Sequence, residues 1–296
     1  MDCKERENID LHIHSDASDG TLSPSEILDM ARNLKLKAIA ITDHDTVEGS
    51  KKAINIGIPP CISFLTGVEI SALPPPSFPC SGSFHILGYS IQVDDPVLNK
   101  TLDVLQEARK NRNPMIVERL KSLGFDISFN EIADAFGESQ IGRPHIARMM
   151  LKKGFVRSVN EAFDKYLANG KAAYVDKYRI GCSEAIKVIL NAGGIPVLAH
   201  PALLNPLNNK PLEKLIQILA EMGLKGMEVY YPEHSPDQAA LYAEIARRHG
   251  LAMTGGTDFH GSLKPDIKMG TGKGDFFVPY VLYEKLLETG NWKLET

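Results

Sequence analysis

Short apolar runs alternate with amphipathic helical stretches along most of this chain, and no other feature of the sequence limits its fold as strongly. Such alternation is typical of a βα-repeating fold with a mainly parallel sheet, because parallel strands need a crossover helix between them. The pattern therefore predicts an α/β protein built on a distorted, nearly closed, seven-stranded (β/α) barrel. The predicted strands are Ile9–His14, Ala38–Thr42, Ile62–Ile70, Phe84–Ser90, Ile195–Ala199, Met227–Tyr231 and Leu251–Thr254.

The alternation stops between residues 96 and 179, where the sequence is helical throughout. A stretch of this length is too long for a plain loop, so it predicts a helical insertion subdomain that covers the active site. The barrel then comprises residues 1–95 and 180–296. The helices predicted within the insertion are Val97–Leu123, Asn130–Phe136, Arg143–Lys153 and Val159–Leu167.

Composition excludes several classes of protein. With 43% hydrophobic and 24% charged residues the chain is not intrinsically disordered, and a net charge of −4 argues against a broad basic face that coats nucleic acid. The four cysteines form no CxxC pair, which argues against a zinc knuckle and a disulfide framework. Because we find neither a signal peptide nor an apolar run of about 20 residues, we expect a cytoplasmic protein with no membrane association. No stable protein partner is implied.

Histidine, aspartate and glutamate residues at the strand ends are the most informative side chains. His12 and His14 lie two apart on the first strand, so they point to the same side and can hold one metal between them. Most of the others end a predicted strand, on the face that carries the active site in (β/α) barrels. His85 is an exception, since it begins its predicted strand. The full set is His12, His14, Asp19, His44, Glu69, His85, His200, Asp258 and His260.

This set of side chains is suited to catalytic metal ions. Nitrogen and oxygen ligands without cysteine favour Zn²⁺, Mn²⁺ or Fe²⁺ over a structural zinc. Nine such side chains are too many for one ion, so we expect two or three divalent metal ions. Closely spaced metals suit the hydrolysis of a phosphate ester, in which water activated by a metal is the nucleophile.

These segments resemble the PHP (polymerase and histidinol phosphatase) family of phosphoesterases. The resemblance runs through the barrel from end to end, and it implies a distorted seven-stranded barrel with a trinuclear metal site. The matching segments are Asp10-Leu-His12-Ile-His14-Ser15, Ser18-Asp19-Gly20, Thr42-Asp43-His44-Asp45, Gly67-Val68-Glu69, His85-Ile-Leu-Gly88-Tyr89, Leu198-Ala-His200-Pro201 and Thr257-Asp258-Phe259-His260.

The resemblance also implies how the ligands are divided among three metals. Glu69 is shared by the first two metals. The implied sets are His12, His14, Glu69 and Asp258 for the first, Glu69, His85 and His200 for the second, and Asp19, His44 and His260 for the third.

The insertion is similar to that of one branch of the family, which contains bacterial nucleotide 3′,5′-bisphosphate phosphatases and 5′–3′ exoribonucleases. Asp176-Lys177-Tyr178 departs from the Pro-His pair more usual in this branch, which leaves the preferred base or sugar open. The segments that carry the similarity are Glu107-Ala-Arg109-Lys110-Asn111-Arg112, Ile141-Gly-Arg143-Pro144-His145, Ala173-Tyr174-Val175 and Gly193-Gly194.

The insertion offers cations for a second phosphate. Arg143 begins a predicted helix beside His145, and a guanidinium can donate two hydrogen bonds to phosphate oxygens. Arg109, Lys110 and Arg112 form a basic cluster that either binds substrate or is a solvated helix face. These five residues are the predicted substrate-binding set.

We therefore expect a metal-dependent phosphomonoesterase that acts on a nucleotide 3′,5′-bisphosphate or the end of a short oligonucleotide. The alternatives are a phosphatase for another small phosphorylated metabolite, such as histidinol phosphate, and a non-catalytic module that binds metal or nucleotide. Hydrolysis of a C–N bond is disfavoured, because we find no lysine at a strand end that would form a metal-binding carbamate. The general acid stays open between a metal-bound water, Asp45 and His234.

Overall fold

One sheet, bent into a nearly closed barrel, organises this computed structural model, which describes residues 7–136, 141–205 and 211–290. The described strands are β1 (Ile9–Ile13), β2 (Ala38–Ile41), β3 (Ser63–Leu73), β4 (His85–Tyr89), β5 (Ile180–Gly181), β6 (Ile195–Leu198), β7 (Gly226–Tyr230) and β8 (Ala252–Gly255). The described α-helices are α1 (Pro24–Asn33), α2 (Glu48–Ile56), α3 (Pro96–Ser122), α4 (Phe129–Phe136), α5 (Arg143–Lys152), α6 (Val159–Ala162), α7 (Cys182–Asn191), α8 (Leu212–Glu221), α9 (Pro236–Arg248) and α10 (Val281–Gly290).

Seven strands follow one another around the barrel in the order β1-β2-β3-β4-β6-β7-β8. Neighbours pair in parallel except at β4, which is antiparallel to both β3 and β6. The backbone N of His14 donates to the O of Phe259 at 2.9 Å, so the end of β1 meets the segment after β8 and the barrel nearly closes. The predicted seven-stranded barrel is confirmed.

Two features of the sheet were not predicted. The direction of β4 is one, and the two-residue strand β5 is the other. β5 pairs in parallel with Ala72 and Leu73, at the end of β3 that extends beyond the predicted Ile70. Two residues are too few to produce a periodic pattern in the sequence.

Side-chain caps fix the starts of two helices, α1 and α9. Ser23 caps α1 and forms a reciprocal capping box with Glu26, and Ser235 does the same for α9 with Gln238. These caps satisfy backbone N–H groups that have no partner within the helix. Among the described residues, no helix is long and apolar enough to cross a membrane.

The long helix α3 connects the barrel to the helical stretch that follows it. Its first turns pack on the barrel core through Leu98 and Leu105. Its last turns contribute Ile116 and Leu120 to a separate apolar cluster, which also includes residues of α4, α5 and α6. The predicted division into residues 1–95 with 180–296 and residues 96–179 stays our proposal for the domain boundaries.

Candidate metal centre and substrate cavity

Side chains able to bind a metal gather at one end of the barrel, where the parallel strands finish. His12 and His14 lie at the end of β1, and His200 follows β6. His85 reaches the same end because β4 is antiparallel, so its first residue lies beside the last residues of its neighbours. The backbone N of Ala199 donates to the O of His85 at 3.2 Å. The exception in the sequence pattern is therefore explained by the direction of one strand.

The ligand-type atoms form three donor groups, within each of which all atoms lie no more than 4.8 Å apart. Glu69, His14 and His44 each belong to two groups, so neighbouring groups share donors. The donor groups are His12, His14, Glu69 and Asp258; His14, Asp19, His44 and His260; and His44, Glu69 and His85. The first of these has the composition that the family resemblance implies for its first metal.

His200 adjoins the third donor group. Oε1 of Glu69 lies 2.8 Å from Nδ1 of His85 and 3.0 Å from Nε2 of His200. The two imidazole nitrogens are themselves 3.2 Å apart. The structure thus brings together all nine side chains that the sequence suggested as ligands.

The unpaired atoms of these side chains fit bound metal ions. Within the described residues, Nε2 of His12 and Nε2 of His14 are buried and have no hydrogen-bond partner. Nε2 of His14 lies 3.3 Å from Oε2 of Glu69 and 3.1 Å from Oδ1 of Asp258. Two donors that each bind one ion at about 2.1 Å are about 3 to 3.5 Å apart, so this spacing suits a shared metal.

Neighbouring side chains favour the ionised form of two carboxylates of the centre, Glu69 and Asp258. Burial opposes this, yet the nearby His44 and His85 hold the pKa of the Glu69 carboxyl well below its usual range. Lys264 Nζ lies 2.6 Å from Oδ2 of Asp258 and, against burial, likewise holds the pKa of Asp258 well below its usual range. Anionic carboxylates are the form that binds divalent cations.

Glu228 on β7 is a fully buried carboxylate that the sequence analysis missed. Its Oε1 lies 2.9 Å from Nδ1 of His12, and its Oε2 accepts from the backbone N of His200 at 2.7 Å. A carboxylate at Nδ1 favours the tautomer with its proton there, in which Nε2 of His12 can bind a metal. The signal in the sequence was an acidic residue inside an otherwise apolar strand.

Asp43 shapes the loop that carries Asp19. Its Oδ1 accepts from the backbone N of Ser15 at 2.8 Å and from Oγ of Ser18 at 2.6 Å.

Backbone strain occurs at the same end of the barrel, because His200 and Asp258 have φ of 26° and 54°. Positive φ is uncommon for non-glycine residues, and the surrounding structure must offset its energetic cost.

A cavity of about 390 Å³ opens beside the donor groups. Asp19, His44 and His85 line one part of it, and the remaining lining includes five basic side chains. Within the described residues these are Arg109, Arg112, Arg143, Lys177 and Arg179. The cavity therefore presents cations and metal-binding side chains to the same volume.

Arg143 is held in place by contacts that leave it facing the cavity. Its Nη1 donates to the O of Leu167 at 3.1 Å. The guanidinium carbon lies 5.7 Å from the ring centroid of Phe163 and 5.7 Å from that of Tyr174. Stacking of this kind orients a guanidinium plane and lowers the entropy lost when it binds an anion.

Lys177 enters the cavity from the segment that follows the helical stretch. Its Nζ lies 2.8 Å from Oδ2 of Asp45 and donates to Oγ of Ser71. Arg109 Nη2 also lies 2.8 Å from Oδ2 of Asp45, so one buried carboxylate holds both cations. The sequence marked residues 176–178 as a departure from relatives but did not identify Lys177 or Arg179 as part of the site.

Two of the five predicted substrate-binding residues do not line this cavity. Lys110 is exposed and borders a neighbouring cavity beside Phe129. Nδ1 of His145 accepts from the backbone N of Gly142 at 3.0 Å, so this imidazole satisfies a backbone donor at the start of α5. A binding role for either residue stays a prediction.

Comparison with known proteins gives consistent matches along the chain. The PHP domain family matches residues 10–262. The 3′,5′-nucleoside bisphosphate phosphatase of Chromobacterium violaceum is 34% identical over 261 residues, which are 86% of this chain and 87% of that protein. The 5′–3′ exoribonuclease Rnm of Escherichia coli is 33% identical over 255 residues, 85% and 84% of the two chains. A structure from Bifidobacterium adolescentis, described as a metal-dependent phosphoesterase, aligns with a TM-score of 0.82, 30% identity and 96% coverage of both chains.

Proposed function

This chain belongs to the PHP domain family and is a metal-dependent phosphoesterase, and from that premise we propose that it hydrolyses a phosphate monoester. The proposed substrate is a nucleotide 3′,5′-bisphosphate or the end of a short oligonucleotide. The observation that carries this choice is the cavity, in which the donor groups and five cations face one volume. A substrate with two phosphates can place one at each.

Two relatives support this substrate class. One is named for a nucleoside bisphosphate and the other for RNA, and both molecules carry a second phosphate close to the one that is attacked. Nucleotides and RNA are present in the cytoplasm, which is where we propose the enzyme acts.

We propose that nine side chains, which are the eight of the donor groups and that of His200, hold two or three divalent ions. The ions are Mn²⁺, Zn²⁺ or Fe²⁺. The unpaired buried imidazole nitrogens of His12 and His14 support this assignment. Such ions supply Lewis acidity, which lowers the pKa of water and neutralises charge on a phosphoryl group. Elemental analysis of the purified protein would give the identity and the number of the ions.

The chain's own cations bind and orient the substrate in this proposal. Arg143 donates to the phosphate that is not cleaved, since its position between two aromatic rings presents the guanidinium to the cavity. A hydrogen bond to the backbone fixes the Arg112 side chain, because its Nε donates to the O of Val175 at 2.7 Å. Cations that are already oriented bind a phosphate with a smaller entropic cost than mobile ones.

A phosphate-release assay with added Mn²⁺ tests the proposed function. The panel comprises adenosine 3′,5′-bisphosphate, a 5′-phosphorylated dinucleotide, adenosine monophosphate, a sugar phosphate and histidinol phosphate. We expect the highest kcat/KM on the first two substrates. A higher value on histidinol phosphate or the sugar phosphate would contradict the substrate class, and no release from any ester would indicate a non-catalytic module.

A further inference from the structure

Hydrolysis of a ribose phosphate ester requires a proton for the leaving oxygen, because an alkoxide departs slowly without one. Asp45, one of the two side chains that the sequence suggested, has no proton to give. Its carboxylate is fully buried and pairs with Arg109 and Lys177. Although burial alone would raise the pKa of Asp45, these two cations hold it below its usual range.

His234, the other candidate, lies outside the cavity lining. Its Nδ1 lies 2.8 Å from the backbone O of Val229. Its ring packs against Tyr242, with the two centroids 4.9 Å apart. These contacts hold the imidazole against β7 and α9, away from the described lining of the cavity.

The geometry favours Lys177 instead. Its Nζ donates to Oγ of Ser71, and Ser71 pairs across the sheet with His85. Ser71 also lies two residues beyond Glu69 on β3, so both side chains point to the same face of the strand. The ammonium group therefore lines the cavity directly beside the third donor group, and its side chain is only 13% exposed.

The phenol, the guanidinium groups and the imidazoles of the described cavity lining are less suited to this role. The hydroxyl of Tyr174 donates to Oδ1 of Asp176 at 2.9 Å, and burial raises the pKa of this phenol. Arginine side chains do not give up their protons in proteins. His44 and His85 belong to the donor groups.

The charges that face Lys177 make its proton easier to lose. Arg109 and Arg112 approach it from α3, Asp45 from the segment after β2, and His85 from β4. Burial and the neighbouring Arg109 lower the pKa of Lys177 to about 8, although Asp45 opposes them. An acid with a pKa close to the working pH is the most effective proton donor.

We propose that Lys177 is the proton donor to the leaving oxygen, positioned by Asp45 and Ser71. The inference rests on the proposed phosphomonoesterase function. A water oxygen bonds to phosphorus, and the ester P–O bond breaks with its electron pair on the leaving oxygen. The Nζ–H proton of Lys177 moves to that oxygen, which leaves as a hydroxyl group. The neutral amine then regains a proton from solvent, while the attacking water releases its own.

The test compares two leaving groups in wild-type protein and Lys177→Arg. Arginine keeps the positive charge but not the acidity. On adenosine 3′,5′-bisphosphate, whose leaving group needs a proton, we expect kcat to fall about a hundredfold or more. On p-nitrophenyl phosphate, whose phenolate leaves without one, we expect kcat to stay within about threefold, since no acid is needed. Lys177→Met should show the same contrast between substrates.

Two further measurements complete the experiment. Wild-type kcat on the bisphosphate should fall as the pH rises through about 8, and this limb should be absent from Lys177→Arg. Lys171→Met removes an exposed lysine from the same segment and should behave like wild type.

The outcomes separate this inference from the proposed function. Equal losses on both substrates, or wild-type turnover of the bisphosphate by Lys177→Arg, would overturn the assignment and make Lys177 a binding cation. Wild-type protein that releases phosphate from neither substrate would overturn the proposed function, and the assignment of the acid with it.

Discussion

The two walls of the cavity are constructed differently. The barrel wall, formed by the donor groups and His200, consists of side chains that lie on strands or in the loops that follow them. The helical wall, formed by Arg109, Arg112, Arg143, Lys177 and Arg179, consists of long side chains from α3, α5 and the segment before β5. The barrel wall is thus largely fixed by strand register, and we expect single substitutions in the helical wall to alter which ester binds.

The barrel wall is also supported by carboxylates that do not face the cavity. Asp10 is fully buried, and its Oδ2 accepts from Oγ1 of Thr257 at 2.6 Å and from the backbone N of Gly270 at 2.8 Å. Burial raises the pKa of Asp10 to about 6 even though these hydrogen bonds oppose it. In the helical wall, aromatic rings and backbone carbonyl oxygens hold Arg112 and Arg143, whereas the Asp45 carboxylate holds Arg109 and Lys177. We therefore expect substitutions in the barrel wall to affect every substrate equally.

The largest effect should follow from losing a donor of the barrel wall. His14→Ala or Asp258→Ala removes a donor from a centre that supplies several kcal/mol of transition-state stabilisation, so turnover should fall at least about a thousandfold on every ester. Phosphate release is measured after chelation and re-addition of Mn²⁺, with circular dichroism to confirm folding. Wild-type turnover in either variant would contradict the metal assignment.

A smaller effect is expected at the carboxylate behind the barrel wall. Glu228→Gln keeps the shape of the side chain but removes the charge beside Nδ1 of His12, which should weaken metal affinity or activity about ten- to a hundredfold. The Mn²⁺ concentration that gives half-maximal activity should rise. A change confined to bisphosphate substrates would show that Glu228 acts on the helical wall instead.

A selective effect is expected in the helical wall. A charge-assisted bidentate contact contributes about 1.5–3 kcal/mol, so Arg143→Ala should lower kcat/KM for a bisphosphate about ten- to a hundredfold. The same variant should leave p-nitrophenyl phosphate nearly unchanged, because that substrate has no second phosphate. Equal losses on both would place Arg143 at the phosphate being cleaved, and no loss on either would make it a structural arginine.

The smallest effect is expected at Lys110, which the sequence grouped with Arg109 and Arg112. Because Lys110 is exposed and does not line the cavity, Lys110→Ala should change kcat/KM by no more than about twofold. Arg112→Ala on the same helix is the matched comparison and should have the larger effect. A loss at Lys110 as large as that at Arg112 would extend the substrate beyond the cavity.

The barrel wall could be predicted from the sequence because its signals are local. His12 and His14 share a strand face because side chains alternate along a strand. Ser23 followed three residues later by Glu26 has the spacing of a capping box, which marks the start of a helix. The direction of β4 could not be predicted, since a short apolar run has the same pattern in both directions. Lys177 was missed because its role depends on a fold that returns the chain to β3, where Ser71 lies 106 positions earlier in the sequence.

The reversed direction of β4 also determines where the rest of the chain can go. β4 begins at the end of the barrel that carries the donor groups and therefore leaves it at the opposite end, where α3 starts soon afterwards. At 1.5 Å per residue, the 27 residues of α3 extend about 40 Å. This length is enough for the helix to run back along the outside of the barrel and beyond its rim, which is the end that carries the donor groups. The helix reaches that rim where Arg109 and Arg112 occur. A single strand reversal thus places the start of α3 at the base of the barrel, from which one helix extends to the end that carries the donor groups.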